Sequence, residues 1–249
     1  MTLELYHGLA STCSKKVRMC LYEKNLAFHS HLLDLQKFEQ HRPEYLALNP
    51  NGVVPTLVHD GVPIVESSVI IAYLDDCFPE PPLTPAVALD RTRMRLWIKY
   101  SDEVAYKAVY APTWQKLAHR AADGLAEGMV AETLASVPTA ERRDRWEKMA
   151  ADGFTTEELD AAYRKMRTCL ADIDTALMQG PWLAGEALSL ADLAMIPFVD
   201  RIRNLRPDYM PAGAYPHLDA WYECIRGRPS FVRAFDFRDD PRAAELPNL

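Results

Sequence analysis

Several features are missing from this 249-residue chain, and each absence closes off a class of function. There is no basic run and no interleaving of basic with aromatic residues. The 35 acidic side chains outnumber the 28 basic ones, and a net charge of −7 argues against nucleic acid as a partner. No apolar stretch approaches the roughly 20 residues of a membrane span. None of the five cysteines, at positions 13, 20, 77, 169 and 224, belongs to a Cys-x-x-Cys pair or to a His/Cys cluster of zinc spacing, so most are expected to be buried thiols and no metal is expected. The N-terminus reads directly into a strand, Leu3-Glu4-Leu5-Tyr6, without a charged leader or an apolar signal core, and a cytoplasmic protein is expected. The apolar content is ample for one large domain or two modest ones.

The most informative stretch runs from Asn49 to Ser68. A Pro/Gly loop leads into a short strand at Thr56–Val58, a His-Asp-Gly turn and a second strand at Val62–Val65. A polar Glu66-Ser67-Ser68 step then opens a helix, with Ser67 or Ser68 expected at its N-cap. Pro55 gives up a ladder donor at the entry to a strand, so the position is an edge or a bend. A cis Val54–Pro55 bond would leave the Val54 N–H and C=O free to pair with an extended peptide. The helix N-terminus after Glu66 presents unpaired N–H groups that suit a carboxylate. An edge for peptide backbone beside a carboxylate pocket describes a small-peptide site; the competing reading is a plain hairpin leading into a helix.

Around this stretch the first quarter alternates: strand near 2–6, helix from about 12 to 24, strand near 27–34, then a polar connector with Gln40 and His41. The expected unit is β-α-β-β-α, a small mixed sheet over residues 1–77. Phe78-Pro79-Glu80-Pro81-Pro82-Leu83-Thr84-Pro85 holds four prolines in eight residues and reads as a linker over 78–86. Residues 87–249 read as helical, with long patterning over 87–118 and 156–179, an Ala/Glu/Arg-rich insertion from Gly124 to Phe154, and a charged tail. Ser189-Leu190-Ala191-Asp192 is a structural helix start with Asp as the third residue of its capping box.

The candidate chemistry lies at Ser11-Thr12-Cys13-Ser14, where the first strand passes into the first helix and an α/β unit presents a helix N-terminus to a ligand. A ligand thiol of ordinary pKa near 8.5 is only a few per cent ionised at neutral pH. A hydroxyl donating to its charged form, at about 1.5–3 kcal/mol, lowers that pKa by roughly one to two units. One well-aimed serine is therefore sufficient. Ser11 or Thr12 also serves equally well as a simple N-cap, and Cys13, beside Lys15 and Lys16, is either a nucleophile or an inert thiol. Gln40 and His41 are either ligand donors or a solvated loop pair, and Tyr6 is expected in the core.

Taken together, Asn49-Pro50-Asn51-Gly52-Val53-Val54-Pro55-Thr56-Leu57, Glu66-Ser67-Ser68, the proline-rich linker and Ser189-Leu190-Ala191-Asp192-Leu193 resemble the glutathione transferase superfamily along the whole chain. The resemblance implies an α/β thioredoxin-like N-terminal domain followed by an all-α helical domain. It implies glutathione as co-substrate, its cysteinyl backbone on Val54 within Val53, Val54 and Pro55, its γ-glutamyl carboxylate at Glu66 and Ser67, and its glycine end at Gln40 and His41. Asp102 stands where many relatives reach across a two-fold dimer to the γ-glutamyl amine, so a homodimer is implied as well.

The Ser11-Thr12-Cys13-Ser14-x-Lys16-Val17-Arg18 loop resembles the serine-type loop of the zeta class and of reductive dehalogenases. The longer body, through Leu21-Tyr22-Glu23-Lys24, Lys37-Phe38-Glu39-Gln40-His41, Val137-Pro138, Arg145-Trp146, Gly153-Phe154 and Glu158-Leu159, is similar to bacterial β-aryl etherases. Those etherases keep only a serine equivalent to Ser14. The implied function is attack of the glutathione thiolate on a small, hydrophobic, aromatic electrophile, with Ser11 the first candidate donor and Ser14 the second. Tyr106, Tyr110, Trp114 and parts of the insertion either line the acceptor pocket or pack helices. Three alternatives remain open: a thiol oxidoreductase or reductive dehalogenase using Cys13, a zeta-like isomerase, and a non-catalytic glutathione-binding protein.

Overall fold

The computed structural model describes residues 1–123, 137–150 and 153–236. Most of the Gly124–Phe154 insertion's first half and the tail beyond 236 lie outside the described residues.

Leu3, Leu5 and His7 are buried in strict alternation along β1 (Leu3–His7), the period-two signature of a strand with one face on a core. Helix α1 (Thr12–Glu23) returns the chain to β2 (His29–Leu32), which pairs with β1 in parallel. After two short 3-10 turns and the one-turn α2 (Pro43–Leu46), β3 (Thr56–His59) and β4 (Val62–Ile64) pair antiparallel, and β3 lies antiparallel against β1. The sheet order is β2-β1-β3-β4, and α3 (Ser67–Cys77) follows it. Pro63 is accommodated because β4 is an edge strand, where a missing N–H breaks no ladder.

The proline-rich segment crosses to the helical part and is held at several points. Lys24, fully buried at its side chain, donates to the carbonyls of Phe78 (2.6 Å) and Pro81 (2.9 Å) and pairs with Asp75 at 2.6 Å. Leu83 N–H donates to Asp75 at 3.1 Å, and Leu190 N–H to the Leu83 carbonyl at 3.0 Å.

Then follow α4 (Ala88–Tyr100), a π-helical stretch (Ser101–Ala105), α5 (Tyr106–Asp123), α6 (Ala140–Ala150), α7 (Thr156–Leu177), α8 (Leu190–Leu205), α9 (Pro216–Arg226) and α10 (Pro229–Phe235). The long helical patterning over 87–118 thus belongs to two helices joined by the π stretch. Every residue of α8 from Leu190 to Ile202 is buried, so this helix is the spine of the helical part and packs on both α1 and α4. Its start is the expected capping box. Ser189 Oγ accepts from Ala191 N–H (3.2 Å), and Asp192 accepts from Ser189 N–H (2.9 Å), Leu183 N–H (3.0 Å) and Trp221 Nε1–H (2.9 Å). Complete burial raises the Asp192 carboxyl above its ordinary value, and those three donors, joined by the Ser189 O–H at 2.9 Å, oppose the rise only in part.

Three local expectations are corrected. The N-cap of α3 is Glu66, not Ser67 or Ser68, and no side chain caps it; Glu66 takes φ 69°, ψ 111°. Cys20 and Cys169 are buried and Cys13 half-buried, but Cys77 and Cys224 are exposed. Tyr6 is half-buried rather than core, stacked on His31 at 4.3 Å, because β1 turns its alternate face to the solvent side of the sheet. No helix among the described residues is long and apolar enough to cross a membrane, and no cluster of metal-ligating side chains occurs among them.

Candidate functional site

A cleft of about 540 Å³ opens where the C-terminal end of β1, the N-termini of α1 and α3, and helices α5, α6 and α8 converge. It is lined by Ser11, Cys13, Gln40, His41, Val53, Val54, Pro55, Glu66, Ser67, Asp102, Tyr106, Tyr110 and Trp114, thirteen of the fourteen residues singled out from the sequence. Ser14 is the exception. It is fully buried beneath the loop, where its hydroxyl accepts from Gly8 N–H at 3.2 Å, so it tethers the loop and does not line the cleft.

Ser11 occupies the N-cap position that the sequence offered and faces the cleft as well. It caps α1, with its Oγ accepting from Ser14 N–H at 3.2 Å, and it lines the cleft. A hydroxyl that accepts in the cap keeps its own proton to donate, and the first-turn N–H groups of α1 add positive character beside it.

The wall opposite is built by a compact set of hydrogen bonds. Asn49 Nδ2 donates to the Val53 carbonyl (2.8 Å) and to Thr56 Oγ1 (3.2 Å), Tyr45 OH also reaches the Val53 carbonyl, and Asn51 N–H closes back on Asn49 Oδ1 at 3.1 Å. Gly52 stands at φ 59° with His41 and Pro138 so close that a Cβ would meet them at 2.8 and 3.1 Å, so glycine is required on both counts. These contacts stop one residue short of Val54. Its N–H and C=O have no hydrogen-bond partner among the described residues, and the Val54–Pro55 bond is cis, as the sequence predicts.

Further along, α3 points its uncapped N-terminus at the cleft, with Glu66 exposed and Ser67 buried. Such a terminus presents free N–H donors to an anion. Asp102, in the π stretch, accepts on one oxygen from Lys16 Nζ (3.1 Å), Ser68 Oγ (2.9 Å) and Ser101 Oγ (3.2 Å). It therefore lines the cleft of its own chain. Gln40 is buried, its Nε2 3.5 Å from the Leu35 carbonyl and its Oε1 without a hydrogen-bond partner among the described residues.

The remaining wall is aromatic. Tyr106, Tyr110 and Trp114 recur every four residues along one face of α5, with ring centroids 5.7 and 6.0 Å apart, so they both line the cleft and pack on one another. Phe154 meets Tyr110 edge-on at 6.0 Å. Trp146 of α6 stands at right angles to Trp114 at 4.8 Å and reaches Phe38 at 4.6 Å. Trp146 and Arg201, which also line the cleft, were not singled out as site residues. The signal for Trp146 was a tryptophan in an otherwise Ala/Glu/Arg-rich segment; for Arg201 there was only a charge beside the apolar run 193–199.

A small mixed sheet followed by helices, with a polar helix-terminus pocket beside an aromatic one, defines a glutathione S-transferase architecture, and comparison with known proteins agrees. Residues 5–82 match the profile of the glutathione S-transferase N-terminal domain, and residues 156–224 that of its C-terminal domain. The chain belongs to the glutathione S-transferase family. It is 34% identical to Protein LigF of Sphingobium sp. (strain NBRC 103272 / SYK-6) over 95% of this chain and 94% of that protein. The crystal structure of beta-etherase LigF from that organism superposes with a TM-score of 0.89, covering 94% of this chain and 99% of the other. Glutathione S-transferase GstB of Escherichia coli (strain K12) is 28% identical over 88% of this chain and 91% of its own length. A theta class glutathione S-transferase from Xanthomonas axonopodis pv. citri, solved with glutathione bound, shares the fold at a TM-score of 0.71 and 24% identity, covering 95% of this chain and 98% of its own.

Proposed function

We propose that the protein binds glutathione along the Val54 edge, activates its thiol as the thiolate, and uses it to displace a phenol from a small aryl ether. The observation that carries this reading is the meeting, in one cleft, of a donor hydroxyl (Ser11), a free strand edge (Val54), an uncapped helix N-terminus (Glu66 and Ser67) and a row of aromatic rings. The γ-glutamyl carboxylate is assigned to the α3 N-terminus, the γ-glutamyl amine to Asp102, and the glycine end to Gln40 and His41. The name beta-etherase, carried by the relative at 34% identity, supports the choice of an aryl ether over other electrophiles.

In the chemical step the glutathione thiol releases its proton to solvent and the Ser11 O–H donates a hydrogen bond to the thiolate sulfur. The thiolate attacks the ether-bearing carbon between the aromatic side chains, the C–S bond forms, and the C–O bond breaks with its electron pair leaving on the phenolate, which takes a proton from solvent. The reading includes a cytoplasmic homodimer, supported by Val62, Val69, Leu89 and Leu96, apolar side chains left exposed on β4, α3 and α4.

The test is the ultraviolet thiolate absorbance of bound glutathione across pH, followed by mass detection of a glutathione adduct and released phenol from a β-aryl ether. Binding with a lowered thiol pKa and formation of both products is expected; binding without adduct on any aryl ether or simple electrophile overturns catalysis in favour of a binding protein. A second reading rests on Cys13, which lines the cleft two residues beyond Ser11. In it the Cys13 thiolate attacks the sulfur of a glutathione disulfide or of a glutathione–substrate conjugate. The Cys13–glutathione disulfide forms as the thiol or carbon group leaves with the bonding pair and takes a proton, in an oxidoreductase or dehalogenase cycle. Cys13→Ser separates the two: displacement survives the substitution under the first reading, and turnover collapses under the second.

A further inference from the structure

The loop that delivers Ser11 is held from beneath by guanidinium groups. Arg18 of α1 donates to the Gly8 carbonyl at 2.9 Å and to the Leu9 carbonyl at 3.0 Å, and its far side fixes the Ala234 carbonyl at 3.0 and 3.1 Å. Arg201 of α8 donates to the next carbonyl, that of Ala10, and its other terminal nitrogen lies 3.4 Å from Thr113 Oγ1 on α5. Three consecutive carbonyls ahead of Ser11 are therefore gripped by two side chains, each only 1% exposed.

Arg201 is poorly compensated for so buried a charge. Lys15 pairs with Asp200 at 3.1 Å and Lys16 with Asp102 at 3.1 Å, but no carboxylate lies within ion-pair distance of Arg201 among the described residues. Its Nε has no hydrogen-bond partner among the described residues. Burial pulls its guanidinium down to about 10, opposed by nearby Asp200, and it stays cationic at neutral pH. A buried N–H left unpaired is costly, and a buried cation without a paired anion costs more. The cation also stands one peptide bond from the residue that caps α1 and lines the cleft.

We propose that Arg201 is a positioning residue for the thiolate: it fixes the Ala10 carbonyl so that the Ser11 O–H points into the cleft, and its charge lends positive potential to the place where sulfur ionises. Through Thr113 it ties that geometry to α5, which carries the aromatic row. The proposal rests on the glutathione-activating reading above. Small displacements of a donor weaken catalysis disproportionately, and a nearby cation favours the charged form of a thiol.

The experiment measures the thiol pKa of bound glutathione by ultraviolet absorbance, glutathione Kd, and kcat/KM across pH in wild type, Arg201→Gln and Arg201→Lys, with thermal melting as the check on folding. For Arg201→Gln we expect a thiol pKa higher by about one unit, and kcat/KM lower by roughly tenfold at neutral pH, recovering as pH passes the shifted pKa. Glutathione Kd is expected to stay within about threefold, since the peptide-binding edge at Val54 is untouched. Arg201→Lys, which keeps the charge and loses the fork, is expected to shift the pKa by about half as much.

A purely structural role would lower the melting temperature and leave the thiol pKa where it was. Folded variants that bind glutathione with the wild-type thiol pKa overturn the proposal; if Arg201→Gln does not fold, Arg201→Lys decides alone by the same criterion. A wild type that fails to bind glutathione, or binds it with an ordinary thiol pKa, overturns the underlying reading instead.

Discussion

The two walls of the cleft are made of different materials. On the β3 side the groups offered to a ligand are backbone: the open edge at Val54 and the uncapped N–H groups of α3, fixed in place by Asn49, Tyr45 and Gly52. On the α5 side they are side chains, the row Tyr106, Tyr110 and Trp114 with Trp146 across from it. Backbone donors are the same whatever the side chains, so the first wall is constrained to one ligand geometry. Aromatic rings can be exchanged one at a time without unpicking a hydrogen-bond set, so the second wall is where acceptor choice is written. The contrast extends to helix starts. Thr155 and Ser189 cap α7 and α8 with complete capping boxes, whereas α3 has no side-chain cap and its N-terminus faces the cleft.

That contrast can be broken most directly at Ser11. Ser11→Ala is expected to raise the bound thiol pKa by roughly one to two units and to lower kcat/KM by roughly 100-fold, since it removes the donor to a charged sulfur. Folding stability is expected to fall by about 1 kcal/mol, the loss of an N-cap. An activity loss no larger than that small destabilisation would leave Ser11 as a cap alone.

Asp102→Asn tests the polar wall at a side chain rather than at the backbone. Weakening a charged hydrogen bond to the γ-glutamyl amine is expected to raise glutathione Kd roughly tenfold with acceptor KM unchanged. Isothermal titration with glutathione, paired with acceptor kinetics, reads both numbers, and equal movement of the two would dissolve the division into walls.

Trp146→Ala is the converse. Losing the ring contacts to Trp114 and Phe38 is expected to raise acceptor KM roughly fivefold and to leave glutathione Kd within about twofold. A change in glutathione Kd larger than the change in acceptor KM would assign Trp146 to the glycine end through Phe38 and the turn carrying Gln40 and His41.

The smallest expected effect lies outside the cleft and serves as its control. Arg228 binds Glu23 through two nitrogens at 2.6 and 2.8 Å, joining α10 to α1. Burial alone would raise the Glu23 carboxyl, but the hydrogen bonds from Arg228 and Ser230 outweigh it and hold it below its ordinary value. A carboxyl with a depressed folded-state pKa contributes stability above its unfolded value, and that stability is lost as pH falls through the folded value. Melting followed from pH 6 downward is therefore expected to decline below the ordinary Glu range near pH 4, and less steeply in Glu23→Gln. Glutathione binding measured at neutral pH should be the same in both proteins.

What could be read in the chain beforehand was local. The hairpin turn at His59-Asp60-Gly61, the cis-proline position, the proline-rich crossing and the capping box at Ser189 are each decided within a few residues, by φ/ψ preference or by one side chain meeting a nearby N–H. Tyr106, Tyr110 and Trp114 were visible for the same reason, since a spacing of four residues puts them on one helix face. Ser14 stood beside Ser11 as a candidate because sequence cannot say which hydroxyl of a first turn points inward, and the structure turns it toward Gly8. Glu66 was misread as a residue before the cap, because its left-handed backbone is set by how α3 docks and not by its own preference.

The sequence by itself therefore determined the order and kind of elements, the open edge at Val54, and the list of groups available for chemistry, because each depends on contacts between near neighbours along the chain. Only the tertiary structure decided that Asp102 reaches Ser68 and Lys16 within its own chain, that Trp146 closes against Phe38 and Trp114, and that Arg201 grips a carbonyl 191 positions away. Those contacts join segments far apart in sequence, and they form only when burial of α8 between α1 and α4 brings the helical part down onto the sheet.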